Sequence, residues 1–280
     1  MTIRTRLSVR HLARLSALAS ALCVALPAMA LPLLGSAQNF AALAASTLTN
    51  TGASSVWGDI GLDPGTAITG IGSVTLTGTF NHTDATAHQA QLDAATAFGL
   101  LAARTSTVNM TGVDLGGRTL TPGVYTFNTA AQLTGTLTLD AGADPNAQFV
   151  FQIGTALTTA TGSAVNVLNG GSNVGVFWQV GSSATLGTGT RFAGNLLADQ
   201  SITMNTAASI LCGRAFALHA ALTLDSNVLS NDCAGAGSLG SGLGDSGSQG
   251  YSAPVPEPDS GALFGLGLAA FSALAWLKRR

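Results

Sequence analysis

The chain has 280 residues, of which 46% are hydrophobic, 9% are charged and 35 are glycine, and its formal net charge is −2. About a quarter of an average soluble protein is charged, so this composition is unusually poor in charge. Residues 38–253 contain four arginines, no lysine and eleven aspartates, which gives a net charge of −7 when the histidines are neutral. Nucleic-acid binding depends on basic contacts to phosphate, so the composition excludes a nucleic acid as partner.

Residues 1–37 have the composition of a secretory signal peptide. Four arginines precede an apolar run from Leu15 to Leu34, and small residues follow at 35–37. Prolines at 27 and 32 interrupt the run, which favours a cleaved signal over a membrane anchor. An earlier cut after Ala30 is the alternative. We therefore expect an exported protein.

One long helix is predicted in the first half of the body, over Thr83–Arg104. This segment has no proline and no glycine before Gly99, and apolar residues recur at i, i+4 and i+7 between 87 and 101. Asp84 in its first turn and Arg104 in its last turn both suit the helix dipole. We expect the helix to pack along the flank of a sheet. A shorter helix is predicted around 40–44.

A short pattern of an apolar residue, a threonine and another apolar residue recurs between 157 and 226. A second hydroxyl follows at the third position after each threonine, and the last three threonines, at 185, 203 and 223, recur at nearly equal intervals. A longer interval separates them from an earlier copy at 158, and we assign the excess to a turn at 169–173. The first threonines are Thr158, Thr185, Thr203 and Thr223, and the following hydroxyls are Thr161, Thr188, Thr206 and Ser226.

This repeat predicts a β-solenoid made of short strands. Side chains alternate between the two faces of a strand, so the apolar neighbours of each threonine face a core and the threonine faces out. A period this short leaves no room for a strand-helix-strand unit. Stacked coils would place the eight hydroxyl residues in two outward columns. The alternative is that threonine simply favours exposed strand positions.

The same pattern occurs twice before the repeat. Val74-Thr75-Leu76 and Leu137-Thr138-Leu139 both place a threonine between two apolar residues. We expect Thr75 and Thr138 to lie in the same outward column or in a neighbouring one.

The end of the chain reads as a linker followed by a sorting tail. Residues 234–253 are rich in glycine and serine, which is typical of a flexible linker. Pro256-Glu257-Pro258 then precedes an uncharged apolar run at 261–277 and three terminal cations. The run is at the short end of what spans a bilayer, so a permanent membrane anchor is the alternative to a processed tail.

Two cysteines remain after removal of the signal peptide. Cys212 and Cys233 bracket the last coil. In an exported protein this pair predicts a disulfide that pins the end of the solenoid. One buried and one free thiol is the alternative.

No arrangement of residues indicates catalysis or metal binding. The spacing of His82 and His88 does not place both on one face as a metal pair needs. His219 has no carboxylate or cysteine partner in the sequence, and the aspartates fall mainly in turns, where they bond to their own backbone. We expect a non-enzymatic protein without metal or cofactor.

Several motifs together resemble the microbial ice-binding proteins of the DUF3494 type. They are Asp63-Pro64-Gly65-Thr66-Ala67-Ile68-Thr69-Gly70, the alanine-rich helix, Gly123-Val124-Tyr125, the stretch 176–188, Gly213-Arg214-Ala215 and Leu222-Thr223-Leu224-Asp225. The resemblance implies a mainly β fold, a discontinuous right-handed β-helix at 38–233 with a long α-helix alongside. It also implies secretion and adsorption to ice through a flat face, which inhibits ice growth and recrystallisation. Thr66-Ala67-Ile68-Thr69 and Thr155-Ala156-Leu157-Thr158 fit the Thr-Ala/Gly-x-Thr/Asn motif often seen on that face.

The tail at 254–280 resembles a PEP-CTERM sorting signal. It implies export in a Gram-negative bacterium, an exosortase-type enzyme as partner, and delivery to the cell surface or extracellular matrix. Membrane contact is then limited to the signal peptide and the C-terminal apolar segment. The rival function is a non-catalytic adhesin or matrix protein that binds polysaccharide or cells.

Overall fold

A computed structural model describes residues 33–170 and 174–231. They form one α-helix, α1 (Ala85–Ala102), and short 3₁₀ turns at Gly35–Asn39 and Ile71–Ser73. The strands from the first half of the chain are β1 (Phe40–Ala44), β2 (Thr47–Thr51), β3 (Ser54–Trp57), β4 (Asp59–Leu62), β5 (Ala67–Thr69), β6 (Val74–Leu76), β7 (Phe80–His82), β8 (Val108–Asn109), β9 (Thr119–Leu120), β10 (Gly123–Phe127), β11 (Ala131–Leu133) and β12 (Thr136–Asp140). Those from the second half are β13 (Gln148–Ile153), β14 (Leu157–Thr159), β15 (Ala164–Leu168), β16 (Gly175–Val180), β17 (Ala184–Leu186), β18 (Arg191–Ala198), β19 (Ile202–Met204), β20 (Ser209–Ala217), β21 (Leu222–Asp225) and β22 (Val228–Ser230).

The strands wind into coils with three sides, and every strand pair in the described residues is parallel. We call the three sides the threonine sheet, the side sheet and the covered sheet. The threonine sheet has the order β11-β14-β17-β19-β21-β2-β5. The side sheet contains β9, β12, β15, the first halves of β18 and β20, β22, β3 and β6. The covered sheet contains β8, β10, β13, β16, the second halves of β18 and β20, β1, β4 and β7. The predicted β-helix is confirmed.

The order of the coils departs from the order of the chain at one place. On the threonine sheet β2 pairs with β21, so the N-terminal coils stack onto the last C-terminal coil. The same junction joins β1 to β20 on the covered sheet and β3 to β22 on the side sheet. The discontinuity that the family resemblance implies is therefore present.

Helix α1 connects the N-terminal coils with the start of the remaining stack and covers one side of it. The Asp84 carboxylate caps its first turn by accepting from the Ala87 N–H at 2.8 Å. Its buried residues pack on outward side chains of the covered sheet, among them Phe177, Leu197 and Phe216, which are completely buried. Burial of each such side chain stabilises the fold by about 1.5–3 kcal/mol. The helix is slightly shorter than the predicted Thr83–Arg104.

The interior of the coils is filled by apolar side chains at alternate strand positions. A stack of aromatic rings runs through three coils, with Tyr125 on Phe151 at 5.4 Å and Phe151 on Trp178 at 3.9 Å between ring centroids. The coils that contain these rings have a longer period, because the loop at 141–147 separates β12 from β13 and six residues separate β15 from β16. Later coils turn the same corner inside continuous strands, β18 and β20, so their period is shorter.

Two local predictions are wrong. The segment 40–44 is strand β1 and not a helix, because it lies between β20 and β4 with its whole length buried. Thr75 and Thr138 do not join the column of the repeat, since both lie on the side sheet, where Thr75 pairs with Ser55 and Thr138 with Asn166.

Some predictions fall on residues that the structure does not describe. They concern most of the signal peptide, the linker at 234–253 and the tail at 254–280. Within the described part of the chain, no helix has both the length and the apolar character of a membrane span.

The threonine sheet as candidate binding surface

Six threonines form one uninterrupted column on the outer face of the threonine sheet. The backbone register pairs neighbouring strands at the central residue of the repeat, from β11 to β5. The column runs in the order Gln132, Thr158, Thr185, Thr203, Thr223, Thr49 and Thr69. With an ordinary strand spacing of about 4.8 Å, the six threonines span roughly 24 Å.

The residues on either side of each repeat threonine face the core, as the pattern predicts. Leu186, Ile202, Met204, Leu222 and Leu224 are all buried. The threonines between them, Thr185, Thr203 and Thr223, are partly exposed. Because β-branched side chains have restricted χ1 rotamers, this sheet presents its methyls and hydroxyls in a stiff arrangement.

Thr49 and Thr69 belong to the column although the repeat did not predict them. In β2 the residue after Thr49 is Asn50, which is polar yet only 4% exposed, so the apolar-Thr-apolar pattern is broken. In β5 the residue after Thr69 is Gly70, which has a positive φ of 72°. Their place beside Thr223 also depends on the chain-order break at β21 and β2, which no local pattern reveals.

A second row is formed by the residues that lie three positions before each column residue along the chain, where the chain enters the threonine sheet. Its members are mostly small or hydroxyl-bearing: Thr129, Thr155, Ser182, Gln200, Ala220, Ser46 and Thr66. Backbone hydrogen bonds stack these turns, including Thr155 N–H to Thr129 O and Gln200 N–H to Ser182 O. The Thr-Ala-x-Thr motifs at 66–69 and 155–158 were the sequence signal for this row.

The predicted second column occupies a different place, the turns by which the chain leaves the threonine sheet. Thr161, Thr188, Thr206 and Ser226 lie in these turns and not on strands. Hydrogen bonds to the carbonyls of Thr188 and Thr206 stack the turns. The hydroxyls of Thr206 and Ser226 donate to the Asp225 carboxylate, so they are already engaged at this edge of the sheet.

Buried polar side chains hold the same turns from inside. Asn50 donates to the carbonyls of Gly52 and Gly70 at 3.0 and 3.1 Å and accepts from the Ser54 hydroxyl at 2.6 Å. The Ser54 hydroxyl accepts from the backbone N–H of Asn227 at 2.9 Å. Asn227 in turn donates to two carbonyls in the preceding coil. These bonds cross the chain-order break and fix β2 and β5 in register with β21.

In the coils further from the chain-order break, threonine and serine hydroxyls hold the turns at this corner. The Thr159 and Thr190 hydroxyls are 2.7 Å apart, and Thr159 Oγ1 accepts from the Gly187 N–H at 2.9 Å. Ser163 donates to the Leu133 carbonyl at 2.8 Å. A satisfied network of this kind keeps the edge of the threonine sheet rigid.

The threonine column itself carries no charged side chain, although Asp225 lies beside it at the end of β21 on the same sheet. Among the described residues, the column carries no charged side chain between Gln132 and Thr69, and Asp114 bridges to Gln132 at its end. Arg191 is exposed at the start of β18 on the side sheet. Arg214 is 2% exposed and bonds to the Gln38 carbonyl and the Asn195 side chain on the covered sheet.

Two histidines each lie beside an aspartate. His88 Nδ1 is 2.9 Å from Asp63 Oδ2, and His219 Nδ1 is 3.2 Å from Asp199 Oδ1. Sequence reasoning missed this partner of His219, because Asp199 belongs to the preceding coil and is distant along the chain. Residues 33–170 and 174–231 contain no group of three or more His, Cys, Asp or Glu side chains placed to hold a metal ion.

The predicted disulfide is described only in part. Cys212 is 6% exposed and is disulfide-bonded. Cys233 lies outside the described residues, so the pairing of the two stays a prediction. Asn81 of the Asn81-His82-Thr83 sequon is 7% exposed, which makes it a poor acceptor for a glycan.

A rigid parallel β-helix with one hydroxyl-bearing side, whose central column carries no charge, defines a class of protein that binds through a preformed surface and not through a cleft. The family model described as Ice-binding-like matches residues 42–230, and the chain belongs to that family. The model described as PEP-CTERM protein-sorting motif matches residues 254–280. The chain is therefore an exported protein whose destination is the cell surface or the extracellular space.

Known relatives agree with this assignment. The chain is 48% identical over 247 residues to an ice-binding protein from Nostoc sp. (strain HG1), a match covering 86% of this chain and 85% of that protein. It resembles the crystal structure of an ice-binding protein from an Antarctic biological consortium, with a TM-score of 0.67, 45% identity and coverage of 71% and 90%. It also resembles the structure of an ice-binding protein from Antarctomyces psychrotrophicus, with a TM-score of 0.66, 39% identity and coverage of 71% and 98%.

Proposed function

We propose that this protein adsorbs to ice through the threonine sheet and so inhibits ice growth and recrystallisation, without catalysing a reaction. The observation that carries the proposal is the column of six threonines in backbone register, from Thr158 to Thr69. The second row from Thr129 to Thr66 widens this contact surface. The column residues Thr158, Thr185, Thr203 and Thr223 are the proposed ice-contacting groups from the repeat, and Thr49 and Thr69 join them.

The physical basis is the sum of many weak contacts on a surface that is ordered before binding. Threonine hydroxyls hold water at the strand spacing, and methyls between them limit the positions that this water takes. A surface already rigid in the free protein loses little conformational entropy when it binds. Charged side chains order water in geometries unlike ice, so their absence from the column favours adsorption.

The turn hydroxyls Thr161, Thr188, Thr206 and Ser226 have a smaller role in this proposal. They line the edge of the contact surface, and the Asp225 carboxylate competes with water for two of them. We assign them to supporting the edge of the sheet.

Export and sorting supply the other partners. An exosortase-type enzyme would recognise Pro256, Glu257 and Pro258 together with the apolar segment of the PEP-CTERM motif. The membrane is then contacted only by the signal peptide and this tail.

Polysaccharide binding is less well supported. Sugar-binding surfaces commonly stack exposed aromatic rings on the sugar, and Trp178 is completely buried. Trp57 is only partly exposed, at the end of β3 on the side sheet. The outward column of the threonine sheet carries no aromatic residue.

The test is the double substitution Thr185→Tyr and Thr203→Tyr in the middle of the column. Two bulky rings would lift the surface off a flat crystal face, so thermal hysteresis and inhibition of recrystallisation should both be lost. The melting temperature should change little, because both positions point outward. Thr138→Tyr makes the same chemical change on the side sheet and should leave both activities intact.

Unchanged ice activity in the double variant would mean that another face binds ice. If the unsubstituted protein does not shape ice at any concentration, the proposed function is wrong.

A further inference from the structure

The described chain ends at one particular corner of the coils. Strand β22 lies on the side sheet, and Asn231 follows it at the turn toward the covered sheet, where its N–H donates to the Trp57 carbonyl at 3.2 Å. Gly194 and Gly213 make the same turn in two other coils. We call this the rear corner, because in a three-sided coil it lies opposite the threonine sheet.

The residues just before β1 reach the same corner. The Asn231 side chain donates to the Asn39 carbonyl at 2.9 Å, and the Arg214 Nε donates to the Gln38 carbonyl at 3.1 Å. The disulfide-bonded Cys212 also lies in this turn. The last described residue, the residues before β1 and the disulfide-bonded Cys212 therefore meet on the side away from the threonine sheet.

The last strand is also placed to resist a pull on the tail. In a solenoid that follows chain order, the C-terminal strand is an edge strand with one hydrogen-bonded neighbour. Here β22 pairs with β20 on one side and with β3 on the other. Removing it requires both ladders to break, and the buried Asn227, with its bonds to two neighbouring coils, must leave as well.

We propose that this domain acts as an ice anchor while attached through its C-terminal segment, with the attached support on the rear side and ice on the threonine sheet. This inference rests on the proposed ice-binding function. The segment at 234–253 that continues the chain beyond Asn231 is rich in glycine and serine, a composition typical of linkers. A tether leaving at the rear corner keeps the attached surface from covering the threonines. The kind of partner that fits the rear side is a solid support such as a cell surface, and not a second ligand.

The experiment attaches the full chain to micrometre beads through a single added cysteine and measures the fraction of beads taken up by a growing ice front. Ser241→Cys places the bond in the C-terminal segment, and Thr155→Cys places it on the threonine sheet. Gln89→Cys on the exposed face of α1 is the control for a thiol placed on the folded body. Beads linked through Ser241→Cys or Gln89→Cys should be captured, and beads linked through Thr155→Cys should be rejected like bare beads.

Two results would overturn the proposal, and both differ from failure of ice binding itself. One is that unattached protein shapes ice but beads linked through Ser241→Cys are rejected. The other is equal capture of beads linked through Ser241→Cys and through Thr155→Cys. If unattached protein does not shape ice at all, the proposed function fails first and this inference fails with it.

Discussion

The threonine sheet and the side sheet are built from the same coils and the same parallel ladders, yet their exposed residues differ. Across seven neighbouring strands the threonine sheet repeats one residue type with a single exception, Gln132 at its end. The matching row on the side sheet reads Thr136, Ala164, Arg191, Ser209, Val228, Ser55 and Thr75. A β-helix therefore supplies regular spacing to every side, and only uniform, uncharged residues turn one side into a repeating surface.

The corners next to the two sheets differ in the same sense. The chain leaves the threonine sheet through tight turns. Backbone carbonyls on the inner side of these turns accept hydrogen bonds from the side chains of Asn50, Asn227 and Thr190. The side sheet ends at the rear corner, where one coil has the loop at 141–147 and another passes through the continuous strand β18. The turns are thus uniform beside the proposed ice-contacting sheet and vary in length at the rear corner.

The largest effect should come from a charge placed in the uniform row. We expect Thr223→Lys to abolish ice shaping, because an ammonium group orders water strongly and projects above the sheet. Ser55→Lys puts the same charge on the side sheet and should leave thermal hysteresis within experimental error of the unsubstituted protein. Comparable losses in both variants would show that net charge, and not the location of the charge, governs activity.

A smaller effect, on stability and not on ice contact, is expected at the rear corner. A Cβ at Gly213 would lie 1.9 Å from the carbonyl oxygen of Gly194, so Gly213→Ala forces backbone atoms apart. We expect a loss of roughly 1–3 kcal/mol in the free energy of unfolding, the usual cost of overpacking. Gly99→Ala in α1 meets no atom within 4 Å and should stabilise by up to about 1 kcal/mol, since alanine favours helix.

Urea unfolding of the two glycine variants measures this difference. While the Gly213→Ala protein remains folded, it should still shape ice, because the threonine column is unchanged. Loss of ice activity in a still folded variant would link the rear corner to the threonine sheet.

The smallest effect is expected from pH. Partial burial acts to raise the pKa of Asp93, but hydrogen bonds from Ser36 and Gln89 outweigh burial and lower this pKa. The pKa of Asp114 is lowered against the same opposition by N–H groups of Gly116 and Thr134. A carboxyl with a lowered pKa stabilises the folded state above its unfolded pKa of about 3.9, and this stabilisation is lost as pH falls through the folded value.

Stability should therefore decline only below about pH 4, given the ordinary aspartate pKa. Thermal hysteresis should be flat between pH 5 and 8, because the threonine column has no titratable group. A clear pH dependence in that range would place an ionisable residue, such as a histidine, in the contact surface.

The sequence predicted the fold and two-thirds of the threonine column because both rest on alternation and spacing. Thr185, Thr203 and Thr223 were found by their apolar neighbours, which must be buried in any such coil, and Thr158 by Leu157 before it and the hydroxyl of Thr161 three places after it. Thr49 escaped because its neighbour Asn50 is buried for its hydrogen bonds and not for its apolar surface.

Other features required the order of the coils in space. Thr75 and Thr138 share the local pattern of the column residues but belong to another side, since position within a coil is not encoded in so short a motif. Likewise, each of the hydroxyls that follow the column threonines lies three residues after its threonine, yet these hydroxyls lie in turns because the strands of the threonine sheet are short.

The junction between β21 and β2 has a consequence for biogenesis. Four of the six column threonines come from the second half of the chain and two from its first quarter, so neither portion alone makes a full-length array. A chain that stops before β21 leaves β2 without that neighbour, and a chain that lacks its start exposes β21 as a bare edge. The complete column of six threonines is therefore present only when both portions of the chain have folded together.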